Sequence, residues 1–315
     1  MATIFQTKEW EQFKLATGWQ KSWRIFDVLV LEKKIPLLGS MLYTPMASHD
    51  QTKLATQKIF QNQINKIAKE SKAIFFRLES NDEIGEIKLD ESGYRKAFEE
   101  MQPEHTLILD ISKPEDEILA QMKPKGRYNI KVAEKYGVKV ADSKIEDFYK
   151  LYETMARRQK ITFRTFPYFQ SLIDNLSKKD YVKVFSASAP YETTNQTKVQ
   201  NYESKNRAIL VSAIVVFYKD VYTYLFGGSS DEHREMMAPY KLHWEIIREA
   251  KRRGCKYYDL FGIAPTDDGK HPWAGVTRFK KQFGGEEFTA LGGWDLVFSP
   301  TKYWLFKIAE KIRRH

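Results

Sequence analysis

The stretch from Thr277 to Gly285 reads Thr-Arg-Phe-Lys-Lys-Gln-Phe-Gly-Gly and places three positive charges among two aromatic rings. A lysine beside an aromatic side chain can hold a stacked base, and its ammonium group can stabilise a developing oxyanion. Lys280 and Phe279 would carry this chemistry, with Arg278 and Lys281 as the flanking cations. The same composition is also typical of an edge strand protected by charge. The residues alone leave both interpretations open.

A second basic stretch has helical periodicity. Its cations recur at every fourth residue: Lys123, Arg127, Lys131 and Lys135. On a helix this spacing makes one slowly drifting positive stripe. Three apolar or aromatic residues on another face of the same helix have this spacing and are expected to be buried: Tyr128, Val132 and Tyr136. A positive stripe beside an anchored face suits a phosphate backbone, although an ordinary solvated face has the same pattern.

Other chemical motifs are weak or missing. Phe226-Gly227-Gly228-Ser229-Ser230 is predicted to lie between a strand and a helix, where glycines let backbone N–H groups approach a ligand, but such a pair is more often only a turn. It matches neither the Walker loop nor the dinucleotide fingerprint, and no HExxH or GxSxG occurs. The histidines show no metal-ligand spacing, so no metal site is predicted. A reaction in which the substrate's own amine attacks would need no protein nucleophile.

Composition bounds the class of protein. The 315 residues, 42% hydrophobic and 14% aromatic, can build one large or two ordinary domains with packed cores. The net charge of +10 attracts phosphates, whether in nucleic acid, nucleotide or anionic lipid. The sequence contains no run of 18 apolar residues, so it predicts no membrane-spanning helix. The N-terminus lacks the pattern of a secretory signal. With Cys255 as the single cysteine, a reducing cytoplasm is the expected location.

The elements that must position these residues recur in the same order. The first set is a strand, a turn at Glu32-Lys33-Lys34, a strand, a helix and a strand, over residues 24–31, 35–43, 50–71 and 73–78. The second set is a hairpin across Lys219-Asp220, a helix and a strand, over residues 208–217, 220–226, 238–253 and 256–261. This order predicts a duplicated mixed α/β unit.

Two further segments stand apart from this repeat. The polar stretch 189–206 is predicted to be a mobile loop insertion. Residues 302–314 predict a basic amphipathic helix whose apolar residues share one side: Trp304, Leu305, Ile308 and Ile312. This helix either docks on the domain or makes a weak contact with an anionic membrane.

At these residues the chain resembles the FemABX family, and most of all its shorter members, nearly from end to end. The most specific block is Gly275-Val276-Thr277-Arg278-Phe279-Lys280 followed by Phe283-Gly284-Gly285. Further stretches are similar to family motifs: Arg127-Tyr128-Asn129-Ile130-Lys131, Ala238-Pro239-Tyr240 with Trp244-Glu245, and Tyr258-Asp259 with Gly262. After Tyr43-Thr44-Pro45, however, Met46-Ala47-Ser48 departs from the usual Arg-Gly-Pro of the family.

The resemblance implies an α/β fold of two tandem acetyltransferase-like (GNAT-like) domains that face each other across a cleft. We assign residues 1–142 to the first domain and 143–294 to the second, with a final helix at 295–315 returning to the first. The coiled-coil arm of the long family members is absent from the sequence. A monomer is the expected state.

The reaction implied by the resemblance is aminoacyl transfer from charged tRNA to the stem-peptide amine of a peptidoglycan precursor. Lys280 matches the catalytic lysine of the family, and Phe279 would pack against the terminal nucleotide. Lys14 and Tyr240 would bind substrate, Lys14 at the precursor's phosphates. The residues expected to bind tRNA are Arg278, Lys281, Arg127 and Lys131. Aminoacyl-tRNA is the implied co-substrate, with no other cofactor.

The expected partner besides tRNA is UDP-MurNAc-pentapeptide or a lipid-linked precursor, met in the cytoplasm or at the inner face of the membrane. The alternative function is a tRNA-dependent or acyl-CoA-dependent N-acyltransferase that acts on another amine. The pyrophosphate loop of an acetyl-CoA enzyme is missing, since Arg252-Arg253-Gly254-Cys255 is predicted to end a helix. A non-enzymatic RNA-binding module would explain the charge but not the block at 275–285.

Overall fold

The computed structural model describes residues 3–83, 85, 87–159, 162–190 and 207–314, with helix side chains described as far as Ile312. These residues form two compact units: Met1–His105 with Phe288–His315, and Thr106–Glu287. Residues 106–142 therefore lie in the second unit, whereas the sequence predicted a boundary after residue 142. Ala189 and Pro190 of the predicted loop end a strand, and its remainder, 191–206, lies outside the described residues.

The helices and strands follow in chain order. Up to residue 105 they are α1 (Lys8–Ala16), β1 (Lys21–Ile25), β2 (Val28–Ile35), β3 (Gly39–Ala47), α2 (His49–Thr56), α3 (Lys58–Ser71), β4 (Ala73–Glu83) and β5 (Arg95–Lys96). Then come β6 (His105–Asp110), α4 (Glu115–Gln121), α5 (Pro124–Lys135), β7 (Lys139–Asp142), α6 (Ile145–Arg158), α7 (Phe166–Leu176), β8 (Val182–Pro190), β9 (Arg207–Tyr218), β10 (Val221–Ser229), α8 (Ala238–Arg252), β11 (Tyr257–Gly262) and α9 (Ala274–Lys280). The chain continues through β12 (Glu286–Val297) and α10 (Pro300–Arg314).

The sheet of the first unit has the order β1-β2-β3-β4-β12, with β5 paired to β12. β3 and β4 run parallel, and the other pairs are antiparallel. The turn predicted at Glu32-Lys33-Lys34 is wrong, because β2 continues to Ile35. Glu32 is buried and pairs with residues of both β1 and β3, so the strand continues past its charged residues. The chain turns after Pro36 instead, with Leu37 in the left-handed region.

The helix predicted over 50–71 is two helices. Gln57 has extended backbone angles and separates α2 from α3. The buried residues of α3, among them Phe60 and Ile64, join the core cluster that contains Phe76 and Leu78 of β4. Because side chains alternate across a strand, Phe75 points to the opposite face of the same sheet. There it packs edge-on or tilted against Tyr303 and Phe306 of α10.

A buried ion pair holds this second face together. Arg77 on β4 donates from Nε to Asp295 Oδ1 at 2.7 Å and from Nη2 to Asp295 Oδ2 at 2.8 Å. The hydroxyl of Tyr303 donates to Asp295 Oδ2 at 2.6 Å. Arg77 is 1% exposed and Asp295 is fully buried, so the ion pair lies in a region of low dielectric constant. It links β4, β12 and α10.

The sheet of the second unit has the order β6-β11-β10-β9-β8-β7. β10 and β11 run parallel, and the other pairs are antiparallel. The hairpin of β9 and β10, the helix α8 and the parallel strand β11 repeat the order of β2, β3, the α2–α3 segment and β4. The predicted fold class, a mixed α/β fold built from a repeated unit, is therefore confirmed.

The buried face of α5 differs from the prediction. Tyr128 is 65% exposed, and the buried residues of the helix are Gly126, Asn129, Ile130 and Ala133. A Cβ atom on Gly126 would lie 2.4 Å from the carbonyl oxygen of Gln282, so this close approach sets the buried side. Across the described residues, every helix is too short or too polar to cross a bilayer.

We expect Asp295→Ala to lower the free energy of unfolding of the first unit by about 3–5 kcal/mol, because it leaves the Arg77 guanidinium buried without its main counter-ion. Urea denaturation followed by circular dichroism measures this change. Glu91→Ala, which breaks the exposed pair of Lys88 and Glu91, is the control and should leave the unfolding midpoint nearly unchanged. Equal effects of the two substitutions would contradict the assigned role of Asp295.

Candidate active site

Strands β10 and β11 part at the candidate site. Their parallel register runs through Val221 with Tyr257 to Thr223 with Asp259. β11 shifts register against β6 between Asp259 and Gly262, and Phe261 at this bulge has φ of 60°. A left-handed conformation at a phenylalanine is strained and occurs where surrounding structure enforces it. At this bulge the backbone carbonyl groups of Phe261 and Gly262 accept hydrogen bonds from a side chain.

That side chain is Lys280, the last residue of α9. Its Nζ donates to the carbonyl oxygen of Gly262 at 2.6 Å, with the carbonyl oxygen of Phe261 at 3.4 Å. The side chain is buried, at 5% exposure, and its Nζ lies 5.7 Å from the ring centroid of Tyr224. The interpretation of this segment as an edge strand is wrong, since it forms α9 and a short 3₁₀ turn over Lys281–Phe283.

Close packing holds α9 and the turn in place. The backbone N–H of Ala264, just after β11, donates to Thr277 Oγ1 at 2.8 Å. Gly284 and Gly285 both have positive φ, and a Cβ atom on either would lie within 2.6 Å of a backbone carbonyl oxygen. Residues larger than glycine are therefore excluded at the two positions that follow the 3₁₀ turn.

Burial tunes the charge of Lys280. Desolvation lowers the pKa of its ammonium group to about 8, and the carboxylate of Asp259 opposes this shift. Asp259 accepts hydrogen bonds from Thr106 Oγ1 and from the backbone N–H of Phe261, the latter at 2.7 Å. Burial raises the pKa of Asp259 itself. Lys280 is thus mostly charged at neutral pH but close to its titration point.

An aromatic cluster adjoins Lys280. The ring centroid of Phe279 lies 5.1 Å from that of Tyr240 and 5.4 Å from those of His243 and Phe283. Phe279 and Tyr240 also line a pocket of about 240 Å³ at the start of α8, together with Ser229, Ser230, Arg234 and Met237. The structure thus brings Lys280, Phe279 and Tyr240 together, as neighbours in one unit.

His243 lies inside this cluster and is 2% exposed. Its Nδ1 is 2.8 Å from the hydroxyl oxygen of Tyr258. Burial, with a further contribution from the positive charge of Lys280, lowers the pKa of His243 to about 3. The imidazole is therefore neutral at physiological pH and adds no second positive charge beside the lysine.

Sequence reasoning missed the supporting roles of Asp259, His243 and the Phe261 and Gly262 carbonyl groups. An acid in the apolar strand Tyr-Tyr-Asp-Leu-Phe-Gly was a usable signal for Asp259, because a carboxylate in such a strand needs partners. The backbone carbonyl groups carry no signal in the sequence, since only the bulge exposes them. His243 lies 37 residues before Lys280 in the sequence and becomes its neighbour only through folding.

The glycine pair 227–228 lies within β10, not between strand and helix as predicted. A Cβ atom on Gly228 would lie 2.5 Å from the backbone nitrogen of Tyr152, and one on Gly227 would lie 1.7 Å from the hydroxyl oxygen of Tyr224. Gly228 therefore allows α6 to pack closely on β10, and Gly227 leaves room for the Tyr224 side chain of the same strand.

The residues predicted to bind tRNA fall into two groups. Arg278 and Lys131 are exposed. Lys281 forms ion pairs with Asp267 at 2.8 Å and Glu287 at 2.6 Å. Arg127 donates to the carbonyl oxygens of Leu119 and Ala120 near the end of α4, at 3.3 and 3.2 Å, and to that of Met122 just after the helix. Lys281 and Arg127 are therefore engaged within the fold itself.

Lys14 belongs to the first unit and is 9% exposed. Its Nζ lies between 5.4 and 5.7 Å from the ring centroids of Trp10, Phe13 and Trp19. These distances define a cation–π cage around the ammonium group. Throughout the described part of the chain, no three His, Cys, Asp or Glu side chains group as a metal site would require.

The fold and the site together define a duplicated mixed α/β protein with a buried lysine at a break between parallel strands. The chain belongs to the FemAB family, whose model matches residues 81–196 and 186–311. It is 22% identical to the Lipid II:glycine glycyltransferase of Staphylococcus haemolyticus over 98% of this chain and 91% of that protein. It is 31% identical to aminoacyltransferase FemB of Staphylococcus epidermidis over 33% of this chain and 26% of that protein.

A solved structure extends the comparison to the fold. The crystal structure of FemX superposes with a TM-score of 0.79 at 20% identity. The match covers 96% of this chain and 94% of FemX. The likeness shows that the two chains share their fold.

We expect Asp259→Asn to lower the pKa of Lys280 further below 8, because the substitution removes the negative charge that favours the ammonium form. NMR titration of the Lys280 side chain in protein labelled with ¹³C and ¹⁵N lysine measures the shift. Asp267→Asn removes an equal charge beside Lys281 and is the matched control. If Lys280 titrates in both variants as it does in the wild type, Asp259 does not influence the pKa of Lys280.

Proposed function

We propose that this protein transfers an amino acid from aminoacyl-tRNA to the stem-peptide amine of a peptidoglycan precursor, the step that builds cross-bridges. Membership of the FemAB family supports the proposal, as does similarity over nearly the whole chain to a Lipid II:glycine glycyltransferase. The observation that carries it is Lys280, a buried ammonium group with a lowered pKa, which follows directly after Phe279 of the pocket at the start of α8.

In the proposed reaction the precursor's amine attacks the ester carbonyl carbon of the aminoacyl-tRNA. A C–N bond forms, the C–O bond to the tRNA 3′ oxygen breaks, and the amine's proton passes through solvent or a substrate phosphate to the leaving oxygen. Lys280 stabilises the tetrahedral oxyanion with its positive charge and its N–H donors. The burial that lowers its pKa also strengthens this interaction, because low dielectric screens the charge less.

The donor's terminal nucleotide is proposed to pack against Phe279 and Tyr240, which line the pocket at the start of α8. Base–aromatic stacking of this kind is tolerant of base identity, because every base has a π-face. Arg278 and Lys131 are exposed and are the proposed phosphate contacts. Lys281 and Arg127 are weaker candidates, since both are held by partners within the fold.

The acceptor's phosphates are proposed to bind at Lys14, whose ammonium group lies in the aromatic cage of the first unit. The named activity of the staphylococcal relatives favours a lipid-linked precursor over a nucleotide-linked one. In this proposal Lys14 affects acceptor binding, and Lys280 affects the chemical step.

We expect Lys280→Met to reduce the transfer rate about 10²–10³-fold while tRNA binding is retained, because the oxyanion loses its donor. The assay follows radiolabelled amino acids from a charged tRNA pool into a lipid-linked or nucleotide-linked pentapeptide precursor. Lys281→Met removes the neighbouring cation and should have a much smaller effect. Transfer unaffected by Lys280→Met, or label that comes from an acyl-CoA instead of tRNA, would contradict the proposal.

The proposed role also predicts a pH dependence. The ammonium form is the active one, so activity due to Lys280 should be lost as pH rises through about 8. Lys280→Arg keeps its charge over this range, because the pKa of a guanidinium lies above roughly 12. The ratio of wild-type to Lys280→Arg rates, in which ionisation of the substrate amine cancels, should therefore fall above pH 8. A ratio that rises there would make Lys280 a base instead.

A further inference from the structure

Helix α10 carries apolar residues on two sides. Tyr303 and Phe306 are buried, at 5% and 7% exposure, and attach the helix to the sheet of the first unit. The other apolar side chains point outward: Trp304 at 61%, Leu305 at 44%, Ile308 at 37% and Ile312 at 71% exposure. Trp304, Ile308 and Ile312 follow at intervals of four residues and so form one stripe. The helix therefore docks through a side other than the one that the sequence indicated.

The turn between β2 and β3 adds a second exposed apolar group to this unit. Leu37 is fully exposed at the tip of the turn. Its neighbours Ile35 and Leu38 pack against the same core cluster as Tyr303 and Phe306. Single exposed apolar residues are ordinary on a protein surface, whereas a group of large ones marks an interaction site.

Positive charge accompanies these apolar groups. The exposed lysines of α10 are Lys302, Lys311 and Lys307, the last with its Nζ 5.4 Å from the ring centroid of Phe98, and Lys33 and Lys34 precede the turn at Leu37. Among the described side chains of α10, the acidic one is Glu310. Tryptophan prefers the boundary between water and hydrocarbon, and lysines attract anionic head groups.

From this combination we infer that α10 and the turn at Leu37 form a docking surface for an anionic lipid bilayer. The helix has 15 residues and is held by Tyr303 and Phe306, so it lies along the bilayer surface rather than across it. A second copy of this chain fits the surface less well, because a symmetric pair would bring the same lysines against one another. The inference goes beyond the proposed reaction and stands on the residues of the first unit alone.

The test is flotation with vesicles that contain phosphatidylglycerol and lack any peptidoglycan precursor, compared with pure phosphatidylcholine vesicles. The wild-type protein is expected to float with the anionic vesicles, and less so as salt increases. Trp304→Ser with Ile308→Ser should weaken binding at least about tenfold, since both side chains lose their apolar contact with lipid. Lys302→Gln with Lys311→Gln should weaken binding and reduce its salt dependence.

The controls lie on α3, which packs on the opposite face of the same sheet. Ile59→Ser removes an exposed isoleucine there, and Lys66→Gln with Lys69→Gln removes the same charge as the α10 variant. Both should bind like the wild type. Equal loss in the control variants, or no wild-type binding to anionic vesicles, would overturn the inference. A dimer in sedimentation that Trp304→Ser with Ile308→Ser abolishes would assign the surface to a second copy instead.

A transfer assay with the water-soluble, nucleotide-linked precursor separates this inference from the proposed function. Trp304→Ser with Ile308→Ser should leave that activity unchanged while vesicle binding is lost. Vesicle binding by a protein without transfer activity would instead reject the proposed function and keep the docking surface.

Discussion

The parallel strands β10 and β11 stay in register as far as Thr223 and Asp259, and the candidate site lies where they part. At the bulge around Phe261, the ammonium group of Lys280 donates to the carbonyl oxygens of Phe261 and Gly262. Buried carbonyl groups and a buried cation each cost free energy when unpaired, so each stabilises the other. Burial also lowers the pKa of Lys280 to about 8 against the opposing charge of Asp259, so the surroundings of the bulge set the charge of the proposed catalytic group.

The first unit depends on a contact between residues 218 positions apart, Arg77 and Asp295. Hydrophobic packing of Phe75, Phe98 and Phe306 brings α10 to the sheet without prescribing its rotation. The hydrogen bond from Tyr303 to Asp295 adds direction, because it requires that side of the helix to face β12. The rotation of α10 in turn places Trp304 outward, so the proposed lipid-facing surface follows from a buried polar contact.

Local signals predicted many elements well. The hairpin across Lys219-Asp220 and the helix before Gly254 lie where turn and capping residues placed them. The signals failed where tertiary pairing overrode them, as at Glu32, whose charge suggested a turn although the residue pairs on both sides within the sheet. Tyr128 was misassigned for a related reason, since the approach of Gly126 to Gln282 decides which side of α5 is buried.

The sequence by itself determined the duplicated order of strands and helices and the motif residues that mark the family, because both are written in contiguous stretches of chain. It also singled out Lys280 and Phe279 as candidates. Tertiary structure alone decided the lowered pKa of Lys280, the capping role of Arg127 and the outward face of α10. The physical reason is that periodicity groups side chains by face, whereas desolvation, hydrogen-bond partners and the choice of buried face depend on what packs against them.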